Sequence, residues 1–480
     1  MSEATTLLSG TIGWTLLIIF GLLWIGLGLW WGRKAKDAEG FMVAGRNVGL
    51  ALGTATAMAT WVTSNTIMLA PVFALEKGLW GMLAYCTASL GLMLFAPMAF
   101  RIHQLLPKGF TSGDFMRLRF GRGNWSVFLI ISLIYSMAWL VTMAVAGGYL
   151  LQALSGIPYQ YGMSAILLVC VIYTLFGGLY AVIGTDFIQS VIILIGVVVI
   201  GAVVLTRVGV GEVYLSVTTH QPALLDVFMP VALLALFNNM FFGFGEVFHN
   251  NVWWSRAYAM RKRVASRAFF ISGLMWLPIP LAAGFIALCA GPLGVNVVNV
   301  NMVGPLLAGH VLGPLGAILV FIVVFCSLAS SIDSLLAATS DLLTRDIYGK
   351  WINPQADPNS MRRQVSIIIV LLGFLTWLIA LPGWNLLDVL FISGPLVGSA
   401  IAPIVAGLYW ENANRQGVLI AMLAGSAAGL IAYFTIGWFV ASLIATALSL
   451  LIVALTTWLM PQRFDWSQLD ESRLNPNPRS

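Results

Sequence analysis

The chain has 480 residues, of which 60% are hydrophobic and 9% charged, and its formal net charge is +6. Because an ordinary soluble domain carries roughly 25% charged residues, this composition excludes one. Apolar runs of about 20 residues, enough to cross a hydrocarbon core of about 30 Å, recur along the chain. Backbone groups in that core must bond to one another, so the runs predict helices. We expect an all-α polytopic membrane protein in a lipid bilayer.

The hydrophobic runs predict about thirteen transmembrane helices. The first is a retained helix, because it is too long for a signal peptide and lacks a basic start and a cleavage site. The expected spans are 8–31, 47–76, 79–104, 125–154, 160–178, 182–206, 227–253, 267–291, 306–343, 363–382, 385–409, 416–435 and 438–460.

Basic residues set the expected orientation, because lysine and arginine favour cytoplasmic loops. With the N-terminus outside and the C-terminus in the cytoplasm, all of the 24 basic residues except Lys77 and Arg207 lie on the cytoplasmic side. This alternation explains the positive charge without a nucleic-acid partner. Short loops and the lack of a eukaryotic sorting signal favour a bacterial inner membrane.

Two spans carry polar or glycine-bearing interruptions. They are "ATWVTSNT" (59–66) in the second span and "NNMFFGFGEVFHNN" (238–251) in the seventh. Irregular backbone at membrane depth survives where it lines a cavity or is buried in protein. Matched interruptions in two halves of a chain point to a transporter's binding site. Two unrelated kinks in a helical bundle are the alternative.

Each interrupted span opens a set of five spans, and because five is odd, the second set enters from the opposite face. This layout predicts an inverted repeat. The expected organisation is an N-terminal helix and cytoplasmic loop (1–46), a first repeat (47–206), an extracellular loop (207–226), a second repeat (227–409), two further helices (410–460) and a cytoplasmic tail (461–480).

The ninth span contains "SSIDSLLAATSD" (330–341), and its polar residues fall on one helix face. Ser327, Ser330, Ser331 and Ser334 follow helical spacing, which by itself also fits close packing of helices. Asp333 favours a function, since a carboxylate inside a span is costly. Hydroxyl, carbonyl and carboxylate oxygens are ligands of alkali cations. With no lysine or arginine at 208–255 or 268–344, a bound cation would balance Asp333.

Three further ionisable residues leave alternatives open. Asp186 fits a helix-start acid favoured by the helix dipole as well as a functional acid. Glu246 and His249 flank the second interruption and are candidates for substrate contact, proton relay or simple satisfaction by neighbours. The polar and aromatic residues near both interruptions form the expected substrate lining, which suits a small neutral or cationic solute: Trp61, Thr63, Asn65, Thr66, Phe244, Glu246, His249 and Asn250.

Three segments resemble signature regions of the sodium:solute symporter family. They are "GGLYAVIGTDFIQ" (177–189), "SLASSIDSLLAATSDLLTRDIY" (327–348) and "FMVAGR" (41–46). The resemblance implies a leucine-transporter-type 5+5 inverted repeat with two broken helices, and symport driven by sodium through alternating access. It implies no cofactor and Na⁺ as the one metal. The implied principal sodium ligands are the carbonyls of Ala59, Val62 and Ser327 and the hydroxyls of Ser330 and Ser331, and a second sodium would use Asp186, Asp333 and Ser334.

The sequence departs from some members of the family at two positions near the two breaks and the serine stripe. Asp333 stands where some relatives have serine, and Trp61 replaces an aspartate of some amino-acid-transporting relatives. The motif "FGEVFHNNVWWSRA" (244–257) resembles the urea-permease branch, which favours urea or a related small neutral or cationic substrate.

The sequence leaves alternatives to a sodium-coupled symporter. A proton-coupled, monocarboxylate or amino-acid symporter of the same fold is one alternative. A solute-sensing membrane domain would need a long output domain, and about 20 residues follow the last span. An enzyme is not expected, because the sequence has no P-loop, nucleophile elbow or HExxH motif. The sequence does not indicate an oligomeric state.

Overall fold

Helices form nearly all of the chain. A computed structural model describes residues 6–33, 38–226, 228–294 and 299–469. These residues contain no strand, and one isolated bridge pairs Val48 with Met260. The α-helices are α1 (Gly10–Gly32), α2 (Ala38–Val43), α3 (Leu50–Trp61), α4 (Ser64–Cys86), α5 (Ser89–Leu105), α6 (Ser112–Ser155), α7 (Tyr159–Val208), α8 (Val210–His220), α9 (Pro230–His249), α10 (Asn251–Ala259), α11 (Lys262–Trp276), α12 (Pro278–Leu288), α13 (Val303–Leu343), α14 (Pro358–Ala380), α15 (Leu386–Phe391), α16 (Gly394–Tyr409), α17 (Arg415–Thr435) and α18 (Trp438–Leu459). Shorter 3₁₀ and π segments join some of them.

Eleven helical segments of the described chain are long and apolar enough to cross a membrane. Two of these, Ser64–Leu105 and Tyr159–Val208, have 42 and 50 residues, about twice the length that a bilayer requires. Gly78 and Gly178 interrupt them with φ values of 59° and 51°, a conformation that glycine adopts without strain. Their positions agree with the expected span ends, but the number thirteen stays a prediction.

The first interruption separates two helices, as expected. Helix α3 ends at Trp61, and Val62 has non-helical dihedral angles (φ −79°, ψ 80°). Thr63 then caps α4, since its side-chain oxygen accepts a hydrogen bond from the Thr66 N–H at 3.3 Å. The polar residues therefore act in helix termination and capping at membrane depth.

The second interruption is narrower than its sequence indicates. Helix α9 runs without a break through Gly243 and Gly245, and the chain leaves helical geometry at Asn250 (φ −73°, ψ 130°). The two glycines allow close packing instead. A Cβ at Gly243 would lie 2.8 Å from the Cα of Ala88, and one at Gly245 would lie 2.4 Å from the Val397 carbonyl oxygen.

Helix α1 packs against α6 and α7 through glycines. Gly13, Gly21, Gly28 and Gly32 are buried, whereas most of the large apolar side chains of α1 are exposed at the protein surface. A Cβ at Gly32 would lie 2.6 Å from the carbonyl oxygen of Phe176. At this end of the row of glycines, which we call the glycine seam, the backbones of α1 and α7 are in direct contact.

Two basic residues that the orientation argument places on the cytoplasmic side, Arg119 and Arg256, are buried inside the protein. Arg256 was assigned to a cytoplasmic loop, but it lies in α10 and is fully buried. Its guanidinium has polar partners inside the protein, which explains why burial is tolerated. Four other basic residues of that argument lie outside the described residues, namely Lys34, Lys36, Arg473 and Arg479. Residues 470–480 of the predicted tail do so as well.

Candidate functional site

The end of α3 meets the serine stripe of α13. The last carbonyls of a helix lack partners within the helix. The Thr60 carbonyl accepts a hydrogen bond from the Ser331 hydroxyl at 3.3 Å, and the Trp61 carbonyl accepts one from Trp276 Nε1 at 2.7 Å. We use the name break cluster for the Thr60 carbonyl, the carbonyls next to it at the end of α3, and Ser327 and Ser331. The sodium ligands predicted on this segment, the carbonyls of Ala59 and Val62, flank those of Thr60 and Trp61.

Ser327, Ser330, Ser331 and Ser334 of α13 lie on one buried face, in agreement with their spacing. Ser331 also donates to the Ser327 carbonyl at 2.9 Å, and Ser327 donates to the Val323 carbonyl at 2.9 Å. Hydroxyls that bond to their own helix keep lone pairs free to accept or to coordinate. Ser330 differs, because its hydroxyl donates to Asp186 Oδ1 at 2.5 Å.

A fully buried ion pair lies beside the break cluster. Arg256 Nη2 is 3.3 Å from Asp186 Oδ2, and both side chains have no exposed surface. The guanidinium also donates to Thr60 Oγ1 at 2.7 Å, Ser334 Oγ at 2.6 Å and, through Nε, Thr56 Oγ1 at 3.1 Å. We call these five residues the arginine cluster. It joins α3, α7, α10 and α13, which include one half of each broken helix.

The arginine cluster overlaps the predicted second sodium site. The guanidinium bonds to Asp186 and Ser334, two of the three residues that the resemblance assigns to that ion. Asp333, the third, is fully buried and accepts a hydrogen bond from the Ser334 hydroxyl at 3.2 Å. No ion pair of the described residues includes Asp333. The second sodium stays a prediction, and a resident guanidinium at two of its three ligands weighs against it.

A polar cavity of about 370 Å³, its open side included, lies on the other side of the first break. Five of the expected substrate residues line it: Trp61, Thr63, Asn65, Thr66 and Glu246. A second cavity of about 440 Å³ is lined by aliphatic residues and glycine and offers no side-chain hydrogen bond. The polar cavity is therefore the candidate substrate site.

Helices distant in sequence complete the cavity wall. Its remaining lining residues are Tyr85, Ala88, Trp139, Asn239, Phe242, Trp276 and Leu390. The Trp61 ring is 6.3 Å from the Trp139 ring and 6.0 Å from the Trp276 ring, centroid to centroid. Four of them are aromatic, and sequence reasoning missed these because single aromatic residues in an apolar span look like core. Asn239 lies within the second polar interruption, which was the available signal for it.

Three expected substrate residues do not line the cavity. Phe244 stacks on Phe248 with 6.0 Å between ring centroids. His249 is buried, and its Nδ1 is 2.6 Å from the Gly245 carbonyl oxygen. Asn250 accepts from the Val252 N–H at 2.9 Å and so caps α10. Their substrate role stays a prediction, and their observed contacts are structural.

A sequence profile of the sodium:solute symporter family matches residues 41–425, which is most of the chain. The chain belongs to this family. Its fold is also that of solved family-type transporters. A Na⁺-coupled sialic acid symporter in a substrate-bound outward-open state aligns with a TM-score of 0.78 at 17% identity, over 94% of this chain and 99% of the other. The protein is therefore an integral membrane protein with the leucine-transporter-type fold and a secondary active symporter.

Curated relatives differ in substrate and coupling ion. The urea-proton symporter DUR3 of Oryza sativa subsp. japonica is 26% identical over 96% of this chain and 72% of its own length. The osmoregulated proline transporter OpuE of Bacillus subtilis is 26% identical over 87% of this chain and 88% of its own. Similarity to these relatives therefore supports transport, but it does not determine the substrate or the coupling ion of this protein.

Proposed function

We propose that this symporter imports a small polar organic solute, urea or a related small neutral or cationic compound, together with sodium. The contact between the end of α3 and Ser331 carries the proposal. It places helix-end carbonyls and a hydroxyl next to a polar cavity, and these are oxygen donors of the kind that sodium requires. No cofactor is needed.

Coupling follows from this adjacency. Sodium in the break cluster would hold α3 against α13 and favour the state in which the cavity is complete. Such a coupling is reciprocal and typically about 1–3 kcal/mol, so that the solute in turn raises sodium affinity. Low sodium and a negative potential inside the cell would then draw the ion from the inward-facing state, and the solute would follow.

The membrane arrangement is part of the proposal. We place the protein in a bacterial inner membrane, with the N-terminus outside and the C-terminus in the cytoplasm, and residues 47–206 and 227–409 as the two inverted repeats. The removal of Arg256 from the cytoplasmic loops leaves the alternation of basic residues intact, because Arg261, Lys262 and Arg263 follow it.

Proton coupling is the second candidate. Glu246 is a buried carboxylate in the cavity, and no ion pair of the described residues includes it. Such a group can bind a proton and the solute in the same site. The rice relative is named a urea-proton symporter, which agrees with this reading.

Uptake of solutes into proteoliposomes tests both sodium coupling and proton coupling. Urea, proline, acetate and a sugar would be scanned with an imposed sodium gradient and, separately, with a pH gradient. We expect sodium-dependent uptake of one solute in wild type. In Ser331→Ala, half-saturation should need at least about tenfold more sodium, since a lost ligand to a cation costs about 1.5–3 kcal/mol.

Ser340→Ala is the matched control, because Ser340 is a buried serine of α13 whose hydroxyl bonds only to its own helix, at Ala337, in the described hydrogen bonds. Its sodium dependence should equal that of wild type. Uptake that ignores sodium and follows the pH gradient would reject the sodium site and favour proton coupling.

A further inference from the structure

Glu246 is the one carboxylate that lines the polar cavity. It is 7% exposed, and its Oε1 accepts a hydrogen bond from the Tyr135 hydroxyl. A neutral hydroxyl reduces the cost of a buried negative charge but does not balance it. None of the ion pairs in residues 6–33, 38–226, 228–294 and 299–469 provides a cation for it.

The aromatic wall of the cavity suits a positive charge. Trp61, Trp139 and Trp276 line it together, and the Trp61 ring contacts the other two. The face of an indole ring attracts cations more strongly than that of any other side chain. A cavity lined by one carboxylate and three indole rings is complementary to one kind of ligand, a small organic cation.

Asn65 indicates hydrogen-bond donors on that ligand. Its side-chain oxygen is buried and has no partner among the described residues, and the residue lines the cavity. An acceptor in this state is satisfied by an N–H group of the ligand. A fully alkylated ammonium ion has no such group and would leave it unpaired.

One observation favours a neutral solute and must be weighed. Trp61 Nε1 is buried and has no hydrogen-bond partner within the part of the chain that the structure describes, and the carbonyl of urea would accept from it. However, an unpaired buried charge costs more than an unpaired neutral N–H. Guanidinium has the planar shape of urea and replaces the carbonyl oxygen by an amino group that carries N–H donors and positive charge. The charge of Glu246 therefore decides between them.

We propose that the transported solute is a small organic cation with N–H groups, of the guanidinium or primary alkylammonium type, whose charge pairs with Glu246. This specificity rests on the proposed transport function and narrows its substrate class. Glu246 is then a specificity residue that contacts the solute, and no proton is required to neutralise it.

Tryptophan fluorescence of the full-length protein in detergent with sodium tests this, because three indoles line the site. Guanidinium and urea would be titrated in the millimolar range, and uptake of each measured in proteoliposomes. We expect wild type to bind guanidinium more tightly than urea. In Glu246→Gln, guanidinium affinity should fall about 30-fold, as expected on removal of one partner of a buried charge pair. Urea affinity should change less than about threefold.

Glu212→Gln is the control, since Glu212 is exposed on α8 and should leave both affinities unchanged. If Glu246→Gln fails to fold, the proposal is tested by the preference of wild type between the two solutes and by Glu246→Asp, which keeps the charge. Preference of wild type for urea, or equal guanidinium binding in a folded Glu246→Gln, overturns the inference. Sodium-driven urea uptake without any response to guanidinium overturns it while the proposed symport stands. No sodium-dependent uptake or binding of either solute overturns both.

Discussion

The break cluster and the arginine cluster lie side by side and share Thr60, but they balance charge differently. The break cluster offers the Thr60 carbonyl and the Ser331 hydroxyl, which are neutral oxygens. The arginine cluster offers the Thr60 hydroxyl, Ser334 and the carboxylate of Asp186, and it holds the guanidinium of Arg256 among them. One cluster includes its own cation, and the other has oxygens without one.

This difference indicates what each cluster does. A buried carboxylate that already has a guanidinium gains little from an added sodium ion, because a second cation would be repelled at that distance. In the described hydrogen bonds, no guanidinium bonds to the neutral oxygens of the break cluster. We therefore expect the arginine cluster to hold the broken helices in place and the break cluster to respond to the ion.

Replacement of Arg256 should have the largest effect on stability. Arg256→Gln leaves the buried carboxylate of Asp186 without a cation, and breaking a buried pair costs about 3–5 kcal/mol. Thermal unfolding of the purified protein in detergent would measure it. Arg256→Lys keeps the charge and should lose less. The double variant Arg256→Gln/Asp186→Asn should recover part of the loss, whereas additive losses would show that the pair is not coupled.

Thr60→Val should have an intermediate effect and would test whether the clusters are separable. It removes the hydroxyl that accepts from Arg256 at 2.7 Å but keeps the backbone carbonyl that faces Ser331. Unfolding should become easier by about 1–3 kcal/mol, the cost of an unsatisfied buried donor. Half-saturating sodium in uptake should stay within about twofold of wild type. A tenfold rise would mean that the hydroxyl also serves the ion.

Ser331→Ala should have the smallest effect on stability and the clearest effect on ion response. Without sodium, the loss should be about 1 kcal/mol or less, since the Ser331 hydroxyl bonds to carbonyls that tolerate one lost donor. In wild type, sodium at 100 times its Kd should stabilise the fold by about 2.7 kcal/mol. Melting curves with sodium and with choline as replacement cation would measure this difference. An equal shift in Ser331→Ala would place the ion elsewhere.

The fold could be predicted from sequence where the signal is local. Hydrophobic runs report spans, and the polar stretches around Val62 and Asn250 report both breaks, because each depends on neighbours within a few residues. Because of Gly243 and Gly245, the sequence predicts an interruption that begins too early. The role of these glycines depends on the residues that pack against them, Ala88 and Val397, and local spacing does not indicate such contacts.

The partner of Asp186 could not be predicted for the same reason. Arg256 lies 70 residues from Asp186 and 200 from Thr56 along the chain. The stretch without lysine or arginine at 208–255 ends one position before Arg256. An arginine within a few residues of an expected span end, in "VWWSRA", was the available signal. The rule that basic residues favour cytoplasmic loops treats such an arginine as a loop charge and does not indicate that it is buried in the protein.

The glycine seam of α1 has a consequence for how the chain is built. Gly28 and Gly32 bring α1 against the α7 backbone at Tyr173 and Phe176, whereas Gly13 faces the Ser155 side chain of α6 and Gly21 the Val169 side chain of α7. Helices that meet in this way can enter the bilayer separately and associate afterwards. We therefore expect α1 to insert as an independent span during biosynthesis and to pack on α7 only after that helix, which begins at Tyr159, has been made. Membrane insertion of α1 and its assembly with α7 would then be separate events.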